Sequence, residues 1–547
     1  MRTKWSILLA VVLTASMLLS ACSKPDSPAS TDAPRGDDNA PAAVAEMRIN
    51  LHSEPPALHP GLASDNVSGG VLNQIFEGLT RIGRDGSPEP AAAEKIDISE
   101  DQKVYTFTLR DALWSNGDPV TAHDFEYAWK WVLDPNNEAK YAYQLYYIQG
   151  AEEANSSGSM DNVRIKALND KTLEVELVNP TPYFLELTSF YTYFPINSKI
   201  AAGQPKWAEN AGDAYTSNGP FVLTEWQHSS KLLLKKNDNY WDKNTVKLDQ
   251  IVMTIVNDES TALAMYENNE LDWAGKPIDA LPTDTLSSLR EAGVLNAQAS
   301  AGTYFYNLNI NEPPLDNTNL RKALAYAIDR QSLIDNVSQG GELPAMAFVP
   351  PTIFEDNTAG YFADNATDQA KQYLELALKE LGYASAAELP TLTLSYNTSE
   401  GHQKIAQAIQ DMWINNLGID VTLDNSEWKV YIEKLQTRDY QIGRLGWVAD
   451  FNDAVNFLET LRDHDGGNNN TGWENAEYKK LLQQSAMESD AAKRRQLLKS
   501  AEEILMDEMP IIPIYFYSNT WLQKDYVHDV FIDGLSNIHF KWAYIDK

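Results

Sequence analysis

The sequence predicts a mixed α/β or α+β fold built from two or three lobes, and three observations support this. The chain has 547 residues, more than the size at which a single hydrophobic core stops growing and chains divide. Hydrophobic residues make up 43% of it, enough to fill several cores. Strand-like and helix-like patterns alternate along the chain, and no repeat of about 20–50 residues is visible.

Two segments show the strand pattern most clearly. The run 104–109 (VYTFTL) is rich in β-branched and aromatic residues, which are favoured on a pleated sheet. Leu173, Val175 and Leu177 alternate with charged residues, the period-two pattern of a strand with one buried face. Both segments are predicted to be strands.

Three segments show the helical pattern, in which apolar side chains three and four positions apart share one face. Gly382 follows the second segment and is placed to end a helix, because glycine readily adopts the left-handed conformation. The apolar faces consist of Leu320, Ala323, Leu324, Ala327 and Ile328; of Tyr373, Leu374, Ala377, Leu378 and Leu381; and of Ile405, Ile409, Met412 and Trp413.

Residues 1–21 are organised like a secretory signal peptide. Arg2 and Lys4 precede an apolar run, 7–19, and two small residues follow it, as such signals require. The run is shorter than the roughly 20 residues of a membrane span. The junction 19–22 (LSAC) resembles the bacterial lipobox, in which Cys22 would receive a diacylglycerol and become the new N-terminus. Because an exported chain has access to disulfides and Cys22 is the only cysteine, lipidation is favoured over an ordinary signal with a chance cysteine.

Residues 22–46 are interpreted as the lipidated cysteine and a flexible linker. The segment consists mainly of Ser, Pro, Ala and Asp, which bury too little surface to offset the entropy cost of ordering. The folded body is predicted to begin at Met47. We therefore expect an extracytoplasmic protein, in the periplasm or cell envelope, attached to a membrane through Cys22.

The charge balance excludes one class of partner. The formal net charge is −33, whereas a nucleic-acid-binding protein needs basic surface to displace counterions. Such acidity favours a soluble monomer. It does not identify a ligand.

No catalytic or metal-binding signature is found, so the sequence predicts no enzyme activity and no cofactor. The motifs H-E-x-x-H, G-x-S-x-G and the phosphate-binding loop are absent, although each would be recognisable. The eight histidines are scattered without metal-ligand spacing. The segment 463–467 (DHDGG) is interpreted as a surface turn rather than a calcium loop. Paired carboxylates for glycoside hydrolysis stay open, since such pairs meet in space rather than in sequence.

Six stretches in order resemble one family, the large solute-binding proteins of bacterial oligopeptide and dipeptide ABC importers. One such motif alone would be weak, whereas six in order behind a lipobox are specific. The resemblance runs from about residue 47 to the C-terminus. The stretches are 53–60 (SEPPALHP), 76–79 (FEGL), 105–135 (YTFTLRDALWSNGDPVTAHDFEYAWKWVLDP), 218–221 (NGPF), 313–316 (PPLD) with Arg321 and Ala323, and 446–452 (GWVADFN).

The resemblance implies a three-lobed fold like that of periplasmic binding proteins. Two lobes would close on the ligand about a hinge, and a third would be an insertion. Lobe I would comprise 47–66, 200–301 and 518–547, lobe II 67–199, and lobe III 302–517. The partners it implies are a short peptide and the membrane permease of an ABC importer.

The same resemblance implies how the peptide would be held. A buried ammonium needs a fixed anion, and Asp450 matches the family's aspartate for the peptide amine; the bland alternative is a loop aspartate capping a helix. Asn218, Gly219 and the segment 446–450 are candidates for backbone pairing with an extended peptide. Glu54 matches the acidic residue of the opening motif, near the ligand.

Four aromatic residues match family positions that line side-chain pockets, namely Trp428, Trp447, Tyr141 and Tyr517. Aromatic rings provide large apolar contacts with a polar tip. The competing interpretation is that these rings are core residues.

The carboxylate end departs from the family's pattern. Arg444 and His402 match two of the cations that relatives offer to peptide carboxylates of different lengths. Leu435 and Ser338 stand where an arginine and a lysine are seen. We therefore expect a narrow range of peptide lengths, or an unusual peptide such as a cell-wall (murein) fragment, and we expect Leu435→Arg to widen the range.

Three alternatives remain beside the oligopeptide receptor. A dipeptide or other solute could be the ligand of the same family member. A lipid-anchored extracytoplasmic hydrolase would turn over a chromogenic substrate, whereas a receptor would retain a stoichiometric ligand. A sensory or chaperone-like binder would work without a transporter.

Overall fold

The computed structural model of the protein describes residues 44–488 and 490–547. The predicted signal peptide, Cys22 and the predicted linker up to residue 43 lie outside the described residues. The ordered body begins with a strand at Glu46, one residue before the predicted start. Within the part of the chain that is described, no helix is both long and apolar enough to cross a membrane.

Strands occur from the start of the body to the C-terminus. They are β1 Glu46–Asn50, β2 Thr80–Ile82, β3 Pro88–Pro90, β4 Ala93–Ile98, β5 Val104–Leu109, β6 Ile165–Asn169, β7 Thr172–Glu176, β8 Phe221–Gln227, β9 Lys231–Lys236, β10 Gln250–Thr254, β11 Trp273–Gly275, β12 Asn296–Leu308, β13 Leu343–Pro344, β14 Leu392–Asn397, β15 Val421–Ser426, β16 Ile442–Val448, β17 Ile511–Gln523, β18 Val527–His528, β19 Phe531–Ile532, β20 Ile538–His539 and β21 Tyr544–Ile545.

Helices alternate with these strands, which confirms the mixed helix-and-sheet class. The α-helices are α1 Asn66–Ile75, α2 Ala122–Leu133, α3 Ala151–Ser157, α4 Phe184–Leu187, α5 Ser198–Gly203, α6 Glu259–Glu267, α7 Leu286–Glu291, α8 Thr318–Tyr326, α9 Arg330–Leu333, α10 Thr367–Leu381, α11 Glu400–Leu417, α12 Trp428–Gln436, α13 Val455–Leu458, α14 Ala476–Met487 and α15 Ala491–Glu508.

The elements predicted from periodicity are confirmed. The run 104–109 is β5, and the alternating segment is β7, although Leu177 lies one residue beyond its end. The three helical segments are α8, α10 and α11. Gly382 ends α10 with a φ of 81°, the left-handed conformation that glycine adopts without steric cost.

Three sheets form the framework. The first has the order β1-β10-β9-β8, and the second has the order β4-β5-β7-β6. The third and largest has the order β11-β17-β12-β16-β14-β15, with β13 also paired to β17. A continuous set of buried apolar side chains connects these layers.

Strand β16 occupies a special position in the largest sheet. It pairs antiparallel with β12 along its whole length. On its other side it pairs parallel with β14 only at Ile442 and Gly443. Beyond Gly443 the two strands separate, so one edge of β16 is open.

The lobe boundaries stay a prediction. The first sheet is built from residues 46–50 and 221–254, and the second from residues 93–176, so each falls within one predicted lobe. The two long strands β12 and β17 cross the predicted boundaries at 301/302 and 517/518. The ladder between them shifts register between Ala299 and Thr303, at the first of these boundaries.

Candidate functional site

A cavity of about 230 Å³ lies beside the open edge of β16. Its lining comes from segments distant in sequence, around residues 52–70, 276–280, 397–402, 428–450 and 517–538. Most of the side chains that the sequence singled out meet here. They are Tyr141, His402, Trp428, Arg444, Trp447, Asp450 and Tyr517.

The pleat of β16 explains how two charged residues come to share this cavity. Side chains two positions apart along a strand lie on the same face. Arg444 and Asp450 are six positions apart. The ladder continues past the strand end, since the Ala449 N–H donates to the Ala301 carbonyl at 2.8 Å. The cation and the anion therefore lie on one face, roughly 20 Å apart at their Cα atoms.

Asp450 has one carboxylate oxygen engaged and one free. Its Oδ2 accepts hydrogen bonds from Gln144 Nε2 at 2.6 Å and from Asn456 Nδ2 at 3.1 Å. Its backbone N–H donates to Asn456 Oδ1 at 3.0 Å, which fixes the start of the loop after β16. Among the described residues, Oδ1 has no donor and no cation lies within ion-pair distance of the carboxylate.

This unpaired state changes the acidity of Asp450. Burial raises the pKa of Asp450 to about 7, although the hydrogen bonds from Asn456 and Gln144 act in the opposite direction. Burial without a counter-charge disfavours the ionised form. A ligand ammonium at Oδ1 would supply the missing charge.

Arg444 is likewise without an ionic partner. Its guanidinium donates to Tyr517 Oη at 2.7 Å and to Asn397 Oδ1 at 3.2 Å, and it lies 4.5 Å from the centroid of the Tyr304 ring. Its buried Nε has no acceptor among the described residues. A buried guanidinium always carries its charge, so this end of the cavity is ready for an anion.

His402 lies near Arg444, in surroundings that disfavour its charged form. Its Nδ1 is 3.4 Å from Tyr304 Oη. Burial, and then the positive charges of Arg444 and Lys276, hold the pKa of His402 well below its usual range. The prediction that His402 supplies positive charge is therefore not supported for the ligand-free protein, because burial and the cationic groups beside it disfavour the charged imidazole.

The aromatic residues form the walls. Trp447 stacks on Tyr141, with ring centroids 6.1 Å apart and an interplanar angle of 22°, and its Nε1 donates to Asn456 Oδ1 at 3.0 Å. Trp428 begins α12 and its Nε1 lies 3.4 Å from Asp65 Oδ1, the carboxylate that caps α1. Packing thus holds these rings against the cavity.

The open edge of β16 exposes backbone groups. Odd-numbered residues such as Ala449 exchange hydrogen bonds with β12, so the N–H and C=O groups of Gly446 and Val448 point away from β12. No described backbone group pairs with them. A Cβ on Gly446 would collide with the Tyr517 hydroxyl, which explains the glycine there.

Three predicted residues are placed outside this cavity. The carboxylate of Glu54 is engaged by Trp226 Nε1 at 3.0 Å, by His228 Nδ1 at 2.7 Å and by the Ser229 N–H at 2.8 Å. Asn218 bonds the backbone of Glu77. The Gly219 N–H donates to the Ile75 carbonyl at 3.0 Å, and a Cβ there would meet the Ile75 backbone at 2.6 Å.

The bonds of these three residues are structural. The pair 218–219 joins the end of α1 to the start of β8, and both backbone groups of Gly219 are hydrogen-bonded within the protein. The structure therefore does not bring Glu54, Asn218 or Gly219 to the candidate site. These three residues belong to the sequence motifs because they make contacts within the protein. Sequence alone does not distinguish such contacts from contacts with a ligand.

Leu435 does not face the cavity, contrary to the expectation that position 435 lies near the peptide carboxylate. Its side chain is fully buried and packs on Gly443 of β16. The residues of α12 that line the cavity are Trp428, Ile432 and Gln436, one helical turn apart. An arginine at 435 would enter the core, so the expected widening by Leu435→Arg is not supported. Ser338 is buried and donates to Glu342 Oε2 at 3.0 Å.

Several site residues were missed by sequence reasoning. Lys276 lines the cavity near Arg444, Asp65 lines it at the N-terminus of α1, and Gln144 holds Asp450. Asp65 precedes a helical segment as an N-cap, a pattern that is readable in sequence. Lys276 carries no such signal, since lysines are common on surfaces.

A wider groove of about 1180 Å³ lies elsewhere, lined by residues around 143–183 and 452–498. Its ionic groups mostly neutralise one another. Arg494 binds Asp453 through two hydrogen bonds of 2.6 and 2.9 Å, and Arg462 pairs with Asp463 at 2.6 Å. Little charge is left for a ligand there. No group of described His, Cys, Asp and Glu side chains is arranged to hold a metal.

Comparison with known proteins agrees with this architecture. Residues 87–469 match the model of the bacterial extracellular solute-binding proteins, family 5, middle region. The chain is 56% identical to the oligopeptide-binding protein OppA of Bacillus subtilis over 548 residues, covering 100% of both chains. It is 42% identical to the dipeptide-binding protein DppE of the same organism, covering 91% of each.

A solved structure extends the likeness to three dimensions. The crystal structure of Haemophilus influenzae OppA in complex with RPPGFSPFR superposes with a TM-score of 0.86 at 31% identity, covering 92% of this chain and 99% of that one. The match to the family model and the full-length identity establish membership. The chain belongs to the bacterial extracellular solute-binding proteins, family 5, and it is a binding protein rather than an enzyme.

Proposed function

We propose that this protein captures short peptides in extended form and delivers them to an ABC importer. The observation that carries the proposal is the open edge of β16, which presents unpaired backbone groups between the free Oδ1 of Asp450 and the unpaired guanidinium of Arg444. An extended peptide can add to such an edge as a strand, independent of its sequence.

The two charges match the two ends of a free peptide. The ammonium would bind Asp450, and the carboxylate would bind Arg444 with the charge-assisted geometry that guanidinium favours. The Cα atoms of these residues are roughly 20 Å apart, and each residue of an extended peptide adds about 3.3 Å. Allowing for the reach of both side chains, roughly three to five residues bridge the gap, so an oligopeptide fits better than a dipeptide.

The relatives support the same ligand class. One is named for oligopeptides and one for dipeptides, and the Haemophilus structure contains a peptide. Leu435 and Ser338 carry no cation where relatives do, but neither side chain lines the cavity. The expected narrow length range therefore rests on the spacing of Asp450 and Arg444. A murein-type tripeptide falls within it.

We further propose that the mature protein is an extracytoplasmic monomer attached to a membrane through lipidated Cys22. The acidic composition and the signal-like residues 1–21 support this. Cys22→Ser should abolish labelling by radioactive palmitate and leave unprocessed precursor. Persistent labelling of the variant would contradict the anchor.

Native mass spectrometry of the purified protein tests the function directly. We expect a stoichiometric peptide of roughly three to five residues, released by acid and identifiable by sequencing. Uptake of that peptide by cells with and without the gene then tests delivery to a transporter. Turnover of a chromogenic substrate without a retained peptide would point to a hydrolase instead. A retained peptide that cells do not take up would point to a sensory binder.

A further inference from the structure

Lys276 is a second cation of the cavity, and no described residue serves as its partner. It follows β11, and its backbone N–H donates to the Thr520 carbonyl of β17 at 2.9 Å. Its side chain lines the same cavity as Asp450 and Arg444. No described carboxylate lies within 4.0 Å of its Nζ, and the ammonium donates no hydrogen bond to the described residues.

Three acids face Lys276 from a greater distance, and each has donors of its own. Burial and the positive charge of Arg444 lower the pKa of Lys276, and these acids act in the opposite direction. The donors are Ser399 Oγ for Glu259, His52 Nδ1 at 3.2 Å for Asp279, and Ser338 Oγ at 3.0 Å for Glu342.

Strand β17 places the two cations at the same end of the cavity. Its Tyr517 hydroxyl accepts from Arg444 at 2.7 Å, and its Thr520 carbonyl holds the backbone of Lys276. These two β17 residues are three positions apart, or roughly 10 Å along the strand. Asp450 lies at the other end of β16, and neither cation contributes to its acidity.

We propose that Lys276 and Arg444 together form the receptor for the carboxylate end of the ligand. Two cations held close together without an anion repel each other and destabilise the empty cavity. A carboxylate between them relieves that repulsion and satisfies donors of both. Lys276 is therefore a specificity-determining residue, and this role rests on the proposed function of peptide capture.

The test combines one change in the protein, Lys276→Met, with one change in the ligand, amidation of its C-terminus. A peptide that binds the wild type is compared with its C-terminal amide by calorimetry, on wild type and on Lys276→Met. In the wild type, amidation should weaken binding by roughly 30-fold or more, as for removal of one partner of a buried charge pair. In Lys276→Met it should weaken binding by a clearly smaller factor, because one of the two cations is gone.

Two further variants make the result decisive. Lys429→Met removes the same charge from the exposed surface beside Trp428 and should behave like wild type. Lys276→Arg keeps a cation in the cavity and should retain the full amidation penalty, which covers the case that methionine disturbs folding. Equal amidation penalties in wild type and Lys276→Met overturn the assignment. If the wild type binds no peptide at all, the proposed function itself fails.

Discussion

At the scale of single residues, the free Oδ1 of Asp450 is the feature most open to test. Asp450→Asn keeps the shape and the hydrogen bonds but removes the counter-charge. Loss of one partner of a buried pair costs about 2–5 kcal/mol, so we expect peptide affinity to fall by roughly 30-fold or more.

Calorimetry with a peptide and its N-acetylated form measures this change. Acetylation should weaken binding to the wild type and have little further effect on Asp450→Asn. Asp411→Asn, on the exposed side of α11, is the charge-matched control. Equal affinity of the wild type for both peptide forms would remove Asp450 from the amine site.

The raised pKa of Asp450 predicts proton release on binding. With a pKa of about 7 in the empty site, the carboxyl group is partly protonated at neutral pH. An arriving ammonium favours the ionised form and lowers that pKa, so the proton leaves. Affinity should therefore rise as the pH increases to about 7. It should fall again where the peptide ammonium, with a pKa of about 7.7–8.0, loses its proton.

Calorimetric titrations at pH 7 in buffers of different ionisation enthalpy count the released protons. We expect up to about half a proton per peptide for the wild type and almost none from this group in Asp450→Asn. A release that is unchanged in the variant would assign the proton to another group, such as Glu459, whose pKa burial raises to about 8.

At the scale of elements, β16 depends on a glycine. Gly446→Ala places a methyl group against the Tyr517 hydroxyl, which must move and weaken its bond to Arg444. Overpacking of this kind typically costs about 1–3 kcal/mol of stability, and peptide affinity should fall with it. Gly534→Ala, whose Cβ meets nothing within 4 Å, is the control. Urea unfolding measures the stability of both variants, and calorimetry measures their peptide affinity. Equal stability and equal affinity of the two variants would contradict the prediction.

Neighbouring residues of helix α12 face different surroundings, one the core and the next the cavity. Leu435 is fully buried, so Leu435→Arg places a charge in the core and should destabilise by several kcal/mol. Gln436→Arg, at the next position, points into the cavity and should leave stability within about 1 kcal/mol of wild type. Urea unfolding of the two variants distinguishes them. Equal stability would contradict the orientation of α12 that places Leu435 in the core and Gln436 at the cavity.

At the scale of the whole molecule, the cavity joins segments from most of the chain. A peptide bound there is absent from the unfolded state, so it stabilises the folded one through mass action. At a concentration of 100 times Kd, the free energy of unfolding should rise by about 2.7 kcal/mol. Thermal unfolding with and without peptide measures this. In Asp450→Asn at the same concentration, a roughly 30-fold weaker affinity should reduce the stabilisation to about 0.9 kcal/mol or less.

Sequence alone was sufficient where the determining interactions are local or where a motif is long. Strand β5 and helices α8, α10 and α11 follow from periodicity, because each buries one face of a regular element. The end of α10 follows from Gly382, since its left-handed backbone suits glycine. The family followed from six ordered motifs, and the charge excluded nucleic acid.

Tertiary structure decided which motif residues meet the ligand space. Glu54 and Asn218 belong to motifs but bond to the protein itself, whereas Lys276 belongs to none and lines the cavity. It also lowered the pKa of His402, since burial and the cations that folding brings near it disfavour the charged imidazole. A sequence motif does not show whether a side chain points toward the ligand or into the protein. The orientation of each side chain and the electrostatic field around it arise only when distant strands such as β11, β16 and β17 come together.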